Sequence, residues 1–135
     1  MTAALLGGVL GFERELRQKS AGLRTNILIA VGAALFTMMS YELAADTPGA
    51  DPGRVAAQIV TGIGFLGAGA IMRTDGGIHG LTTAATVWVN AAVGLAAGGG
   101  EYRLAFIATA VTMAVLLVLY PLEGIIERRF SRRAD

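Results

Sequence analysis

The sequence has 135 residues, a formal net charge of +1, 54% apolar residues and 16% charged residues, and it contains no cysteine. The length suits one compact unit rather than two ordinary domains. A typical soluble domain has about 25% charged residues, so this chain has too little polar surface to cover a soluble globule. The apolar content excludes disorder, and the lack of cysteine excludes a disulfide scaffold or a cysteine-ligated metal site. A membrane protein remains.

The chain begins with a short apolar segment, residues 1–12. As a helix this segment is about 18 Å long, whereas the hydrocarbon core of a bilayer is about 30 Å thick. It also lacks the basic region before it and the small-residue cleavage site after it that a signal peptide has. We interpret it as the end of a first transmembrane helix.

Four longer uncharged runs follow in chain order, at residues 25–41, 55–72, 81–100 and 104–122. Each is long enough as a helix to cover most of the hydrocarbon core. Buried helices of soluble proteins are usually shorter and carry a polar stripe. The sequence therefore predicts an all-α, polytopic transmembrane bundle with a short N-terminal helix and four full spans. This bundle occupies residues 1–123, and a short basic tail follows at 124–135.

Basic residues are concentrated on one side of the predicted bundle. The connection at 13–24 contains four of them, and the last eight residues contain four arginines. The connections on the other side contain only Arg54 and Arg103. Because basic connections stay in the cytoplasm, the connection at 13–24 and the C-terminus are predicted to be cytoplasmic.

Glycines recur within the predicted spans. Gly62, Gly64, Gly67 and Gly69 lie in one span and Gly94 in the next. In lipid, small residues let helix backbones approach each other and gain dispersion contacts, so these five glycines are predicted helix-packing positions. Alternatively, the glycine run lets its helix bend or break and exposes backbone groups to an ion or substrate.

The polar residues within the predicted spans are neutral. Gln58 and Asn90 are the deepest amides, and we expect them to hydrogen-bond across helices; the alternative is that they line a permeation path. Proton relays and most coupled pumps place an ionisable residue at this depth, and these predicted spans contain no aspartate, glutamate, lysine or arginine there. The single histidine, His79, lies in a predicted turn, and no span contains a serine and aspartate pair, so we predict that the protein is not an enzyme.

Acidic residues lie near the predicted membrane interfaces. Oxygen ligands there could hold Mg²⁺ with most of its water shell retained, so magnesium binding is left open and no other cofactor is predicted. Asp51-Pro52 also reads as a helix start, with Asp51 as the N-cap. We further expect Glu13 to form an ion pair with Arg24 or Arg73, which would tie helix ends together.

Several motifs, in order, resemble the MgtC/SapB family over about residues 8–123. They are Gly11-Phe12-Glu13-Arg14-Glu15, Ala21-Gly22-Leu23-Arg24-Thr25, Asp51-Pro52-x-Arg54, the run from Gly62 to Gly69, and Gly80-Leu81-Thr82-Thr83-Ala84-Ala85-Thr86-x-Trp88, followed by Gly94. The resemblance implies a five-helix hydrophobic domain. Several members continue into a cytoplasmic ACT-like domain, so short SapB-like members are the nearer comparison for a chain ending at residue 135.

The resemblance also implies functional residues, carried over by position. They are Glu13, Arg14, Arg24, Thr25, Asp51, Arg54, Thr82, Thr83 and Trp88. It implies a multi-pass protein of the bacterial inner membrane that supports growth at low Mg²⁺ and survival inside macrophages. Regulation of membrane energetics through the F-type ATP synthase is the account favoured for some members.

Two functions are therefore compared. The first is a regulator that contacts other membrane proteins and also associates with itself, with the lipid bilayer as its surroundings and no nucleic acid partner. The second is a transporter or channel for Mg²⁺ or a small solute, lined by Gln58, Asn90, threonines and the glycine-run backbone.

Overall fold

This computed structural model describes residues 1–74 and 77–131. Five α-helices account for most of that chain: α1 (Thr2–Leu16), α2 (Leu23–Ala45), α3 (Gly53–Gly69), α4 (Leu81–Gly98) and α5 (Tyr102–Ser131). Two short strands between α3 and α4, β1 (Met72–Thr74) and β2 (Gly77–His79), pair as an antiparallel hairpin. The architecture is therefore a helical bundle with one small hairpin.

Three of the described helices are long and apolar enough to cross a membrane: α2, α4 and the Tyr102–Tyr120 part of α5. The prediction of four full spans is therefore not confirmed. The predicted span at 55–72 corresponds to α3, which has 17 residues and is about 25 Å long. It ends early because the chain leaves the helix at Ala70 and enters β1 at Met72.

The hairpin is a feature that the sequence analysis did not predict. Gly80, which follows β2, has a φ of +89°, and a Cβ there would collide with the carbonyl oxygen of Ala70. Only glycine permits both this backbone conformation and this close approach. Gly80 thus lets the chain return against the end of α3 and begin α4. The predicted turn includes Asp75, which lies outside the described residues.

The core lies around α2 and α4. α2 packs against α1, α3 and α4, and α4 packs against all four other helices. Most buried apolar side chains are small, since alanines predominate among them. Large apolar side chains such as Phe36, Phe106 and Leu117 are exposed instead. This inside-out distribution suits a lipid surrounding, where small residues bring helices together.

The helices alternate in direction, so one end of the bundle collects the end of α1, the start of α2, the end of α3, the start of α4 and the later part of α5. We call this end the basic end, because it includes the connection at 13–24. α5 continues beyond residue 123, so the predicted tail is helical through Ser131. Residues 132–135 lie outside the described chain.

Candidate functional site at the basic end

Three charged side chains form a cluster at the C-terminal end of α1. Glu13 and Arg14 are buried, with 5% and 2% of their surface exposed. Arg14 Nε donates a hydrogen bond to Glu13 Oε2 at 2.5 Å, and Arg17 Nε donates one to Glu13 Oε1 at 2.6 Å. The helix brings Arg17 to Glu13 because residues four apart share a face. Each carboxylate oxygen of Glu13 therefore has its own guanidinium partner.

The arginines also determine the charge state of Glu13, which lies outside the candidate spans. Burial by itself raises the pKa of the Glu13 carboxyl. The hydrogen bonds and positive charges of Arg14 and Arg17 outweigh burial and hold that pKa below its usual range. Glu13 is thus ionised at neutral pH, and its negative charge compensates the buried charge of Arg14.

The expected ion pair of Glu13 with Arg24 or Arg73 is wrong. Arg24 and Arg73 are both exposed, and the carboxylate is fully engaged by arginines of its own helix. Connection to α2 comes instead from Glu15, whose Oε2 accepts a hydrogen bond from the backbone N–H of Leu23 at 2.9 Å. A carboxylate at the start of a helix satisfies a free N–H there and interacts favourably with the helix dipole.

A cavity of about 230 Å³ lies beside this cluster, and we call it the basic-end cavity. Its polar lining comes from Arg14, Lys19, Thr82 and Tyr120, that is, from α1, the α1–α2 connection, α4 and α5. The guanidinium of Arg17 stacks on the ring of Tyr120, with Cζ 3.9 Å from the ring centroid. Charged and polar groups from distant parts of the sequence therefore meet at this end.

The threonines and the tryptophan that the resemblance implies as functional residues do not all lie at the basic-end cavity. Thr82 is exposed and borders the basic-end cavity, whereas Thr83 is buried in the same first helical turn. Trp88 is 52% exposed and lies two turns further along. Thr25, in the first turn of α2, is also exposed. The basic-end cavity thus includes Thr82 but not the other three.

Asn90 lies in the core between α4 and α2. Its Nδ2 donates to the backbone oxygen of Asn26 at 2.7 Å and to Asn26 Oδ1 at 3.1 Å. Asn26 Nδ2 in turn donates to the carbonyl oxygens of Ala21 and Gly22 at 2.7 and 2.9 Å. Both asparagine side chains are fully buried, and Asn90 Oδ1 has no partner among the described residues. The two amides link the start of α2 to the middle of α4.

Gln58 was expected to make a similar contact, and it does not. Its side chain is exposed and makes no hydrogen bond within the described chain. It lines an apolar groove of about 430 Å³ between α2 and α3, together with Ile29, Gly32 and Gly62. The prediction for Gln58 was wrong because the sequence shows how far along a helix a residue lies. It does not show in which direction the side chain of a peripheral helix points.

The glycines also divide into two groups. A Cβ at Gly94 would collide with the backbone of Ala30, and one at Gly98 would lie 2.5 Å from the carbonyl oxygen of Ala34. These glycines therefore allow α4 to pack directly on α2. A Cβ at Gly62, Gly64 or Gly69 would meet nothing within 4 Å.

The close packing expected along the glycine run is therefore absent from the described chain. Gly67 is the buried member of the run, and a Cβ there would be 3.7 Å from Ala84, an ordinary contact. The physical reason is that α3 is peripheral and, in the described chain, packs mainly against α4 and α2. Its other faces are open.

The opposite end of the bundle contains the predicted residues Asp51 and Arg54, both exposed. α3 begins at Gly53 rather than at Pro52, and Asp51 Oδ1 accepts a hydrogen bond from the Gly53 N–H at 2.8 Å. Ser40 Oγ donates to the carbonyl oxygen of Pro52 at 3.0 Å, which ties the end of α2 to this connection. These residues lie far from the basic-end cluster because α3 separates the two ends.

The carboxylates of Glu13 and Glu15 at the basic end are already engaged by other groups. No group of three or more histidine, aspartate or glutamate side chains converges within the part of the chain that the structure describes. Both carboxylate oxygens of Glu13 accept hydrogen bonds from arginines, and Glu15 Oε2 accepts one from a backbone N–H. Magnesium binding stays a prediction, because Mg²⁺ can bind through one or two carboxylates while it keeps several of its waters.

Three contributors to these sites were not assigned from the sequence: Arg17, Asn26 and Tyr120. The four-residue spacing of Glu13 and Arg17 was a usable signal for the first. Asn26 is a polar residue within the uncharged run at 25–41, but its partner lies 64 residues away. Tyr120 had only its place near the end of an apolar run as a signal, which is typical of interfacial aromatic residues.

Comparison with known sequences decides the family. A family model described as the MgtC family matches residues 1–125. This chain belongs to the MgtC family. It is 50% identical over 131 residues to Protein MgtC of Brucella abortus, which covers 97% of this chain and 54% of that protein. It is 48% identical over 119 residues to Protein MgtC of Salmonella typhimurium, covering 88% of this chain and 50% of that protein.

A further MgtC-family relative comes from Escherichia coli K12 and is named "Putative magnesium transporter YhiD". It is 47% identical over 125 residues, which is 89% of this chain and 58% of that protein. The chain thus spans about half the length of these curated relatives. No solved structure is significantly similar to it. Family membership and three apolar helices together identify a membrane protein.

Proposed function

We propose that this MgtC-family chain is a regulator that acts by contacting other membrane proteins and so supports adaptation to low Mg²⁺. The observation that carries this proposal is the division of its glycines. Those of α1 and α4 pack the bundle, whereas Gly62, Gly64 and Gly69 of α3 are exposed, and a Cβ at any of them would meet nothing within 4 Å. Gly62 and Gly69 are seven residues apart and share a face of α3. Exposed small residues on a helix surface in lipid allow the close approach of another transmembrane helix.

The interior supports a role in contact rather than in transport. Glu13 and Arg14 are the charged members of the described buried polar side chains, and they pair with each other at the basic end. The other members are asparagine, threonine and serine, and several bond to backbone within their own helix, as Thr37 and Thr109 do. Coupled pumps usually place an ionisable group at mid-membrane depth.

The resemblance supplies the partner to test first, the F-type ATP synthase, and the role in intracellular survival. In this proposal the protein lies in the bacterial inner membrane, has a cytoplasmic C-terminus and carries out no catalysis. Self-association through α3 is part of the same proposal, because that surface is open on each copy. No nucleic acid partner is proposed.

Site-specific photocrosslinking in native membranes tests the contact. A photoreactive residue replaces Phe65, which is 82% exposed on α3, and in a matched control it replaces Phe106, which is 56% exposed on α5. The proposal predicts protein adducts from position 65 in clear excess over position 106, with ATP synthase subunits or a second copy among them. Lipid adducts alone from both positions would overturn it.

A second candidate function is Mg²⁺ or small-solute transport. The name of the Escherichia coli relative favours it, and so does the amide of Gln58, which is exposed in the groove between α2 and α3. Purified protein in liposomes, assayed for Mg²⁺ uptake with and without a membrane potential, distinguishes the two functions. Robust flux that Gln58→Ala reduces supports transport, and absence of flux with active reconstituted controls supports the regulator.

A further inference from the structure

We propose that the basic-end cavity binds a phosphate group, carried by an anionic phospholipid or free in solution. This inference concerns the junction of α1, α4 and α5 and does not depend on the function proposed for α3. It rests on a buried guanidinium at the cavity, on the surrounding charge and on the division of the lining into a polar and an apolar part.

Arg14 provides the strongest observation. Its side chain is 97% buried, and its Nε is bonded to Glu13, yet it borders the cavity. No hydrogen bond from its Nη atoms to another described residue is present. Because Arg14 lines the cavity, its Nη atoms are the donors that would meet an anion there. Guanidinium donors in this state match the paired oxygens of a phosphate.

The surrounding charge favours an anion. Glu13 is the acidic partner of Arg14, but Arg17 pairs with its second oxygen, so the cluster retains a positive charge. Lys19 adds a second cation at the cavity, and it forms no ion pair within the described chain. Thr82 lies in the first turn of α4. That turn contains no acidic residue, and no side chain caps it. The positive end of that helix dipole adds to the attraction.

The lining of the cavity combines polar and apolar side chains. Arg14, Lys19 and Thr82 supply polar groups, and Val115, Leu116 and Leu119 of α5 supply the apolar wall. Tyr120 of the same helix adds a polar hydroxyl, and tyrosines of membrane proteins favour the headgroup level. The volume, about 230 Å³, is below the range of drug-sized pockets and suits a small headgroup. Basic pockets between transmembrane helices on the cytoplasmic side are a recurring form of lipid headgroup site.

The test uses the purified full chain in a neutral detergent. Dioleoyl phosphatidylglycerol, dioleoyl phosphatidylcholine and inorganic phosphate are titrated separately, and binding is followed by native mass spectrometry and by the shift in unfolding temperature. Lys19→Gln is the principal variant because Lys19 is exposed and the fold does not require its charge. Arg14→Lys keeps the charge but removes the paired donors. Arg103→Gln, an exposed basic residue at the opposite end, is the matched control.

We expect phosphatidylglycerol to bind more tightly than phosphatidylcholine. Lys19→Gln should weaken phosphatidylglycerol binding about fivefold, which corresponds to about 1 kcal/mol per basic residue. Arg14→Lys should weaken it further, and Arg103→Gln should leave it unchanged. Saturable binding of inorganic phosphate with the same dependence on Lys19 identifies free phosphate as the source. Equal binding of both lipids without phosphate binding, or no effect of Lys19→Gln, overturns the proposal.

Discussion

Asn90 of α4 donates a hydrogen bond of 2.7 Å to the backbone oxygen of Asn26 in α2, and neither side chain has any exposed surface. The bond joins the first turn of α2 to the middle of α4. Gly94 and Gly98 follow Asn90 along the same helix and lie against the α2 backbone at Ala30 and Ala34. One face of α4 thus combines an amide contact with direct backbone packing.

Removing the amide of Asn90 should destabilise the bundle. Asn90→Ala takes a donor from two buried oxygens of Asn26, and such contacts in membranes contribute about 0.6–2 kcal/mol. Thermal unfolding in detergent measures the loss, and a double-mutant cycle with Asn26→Ala should show coupling. Gln58→Ala is the control, since an exposed side chain away from structural contacts changes stability by less than about 0.5 kcal/mol. Equal effects of the Asn90 and Gln58 variants would contradict the assignment.

Adding one methyl group should have opposite effects at two glycines. Gly94→Ala forces a Cβ into the backbone of Ala30, so we expect a loss of about 1–3 kcal/mol. Gly32→Ala meets open space within α2 and should gain up to about 1 kcal/mol of helix propensity. Unfolding temperatures of the two variants in the same detergent provide the comparison. A stable Gly94→Ala protein would show that α4 and α2 are further apart than described.

Neutralising Glu13 should leave Arg14 buried without a charged partner. Breaking a buried ion pair in this way costs about 3 kcal/mol, so Glu13→Gln should lower folding yield and unfolding temperature. Glu42→Gln removes an exposed charge that forms no salt bridge within the described chain, and it serves as the control. If the two substitutions have the same small effect, the cluster does not stabilise the fold.

The same cluster predicts a pH dependence. The pKa of Glu13 in the folded protein is lowered by Arg14 and Arg17, so its contribution to stability is fully present above the ordinary carboxyl pKa of about 4.3 and is lost as the pH falls through the lowered value. The stability difference between wild type and Glu13→Gln should therefore be constant from neutral pH to about pH 5 and decrease at more acidic pH. Unfolding midpoints measured across that range test this, and a difference that grows on acidification would have the wrong sign.

The sequence predicted a helical membrane protein because long uncharged runs depend only on local composition, as at α2, α4 and α5. It overestimated the length of the span predicted at 55–72, because the return of the chain through β1 and β2 depends on the contact of Gly80 with Ala70. The sequence assigned Glu13 to the wrong partner because charge complementarity alone does not distinguish between several arginines near it in the sequence.

The orientation of the glycine surface could not be predicted from the sequence either. Small residues at regular spacing look alike whether they face a helix of the same chain, as Gly94 does, or open space, as Gly64 does. Only the position of α3 at the edge of the bundle separates the two cases. That position follows from the contacts of all five helices together.

The central claim is that α2, α4 and α5 cross the bilayer, with the basic end on the cytoplasmic side. The absence of native cysteine makes single-cysteine labelling direct. Ser20→Cys places a thiol in the α1–α2 connection, and Thr47→Cys places one in the α2–α3 connection, and both positions are exposed. In intact spheroplasts a membrane-impermeant maleimide should label position 47 and spare position 20 until the membrane is permeabilised. Equal labelling of both positions before permeabilisation, or labelling of position 20 alone, would contradict the account.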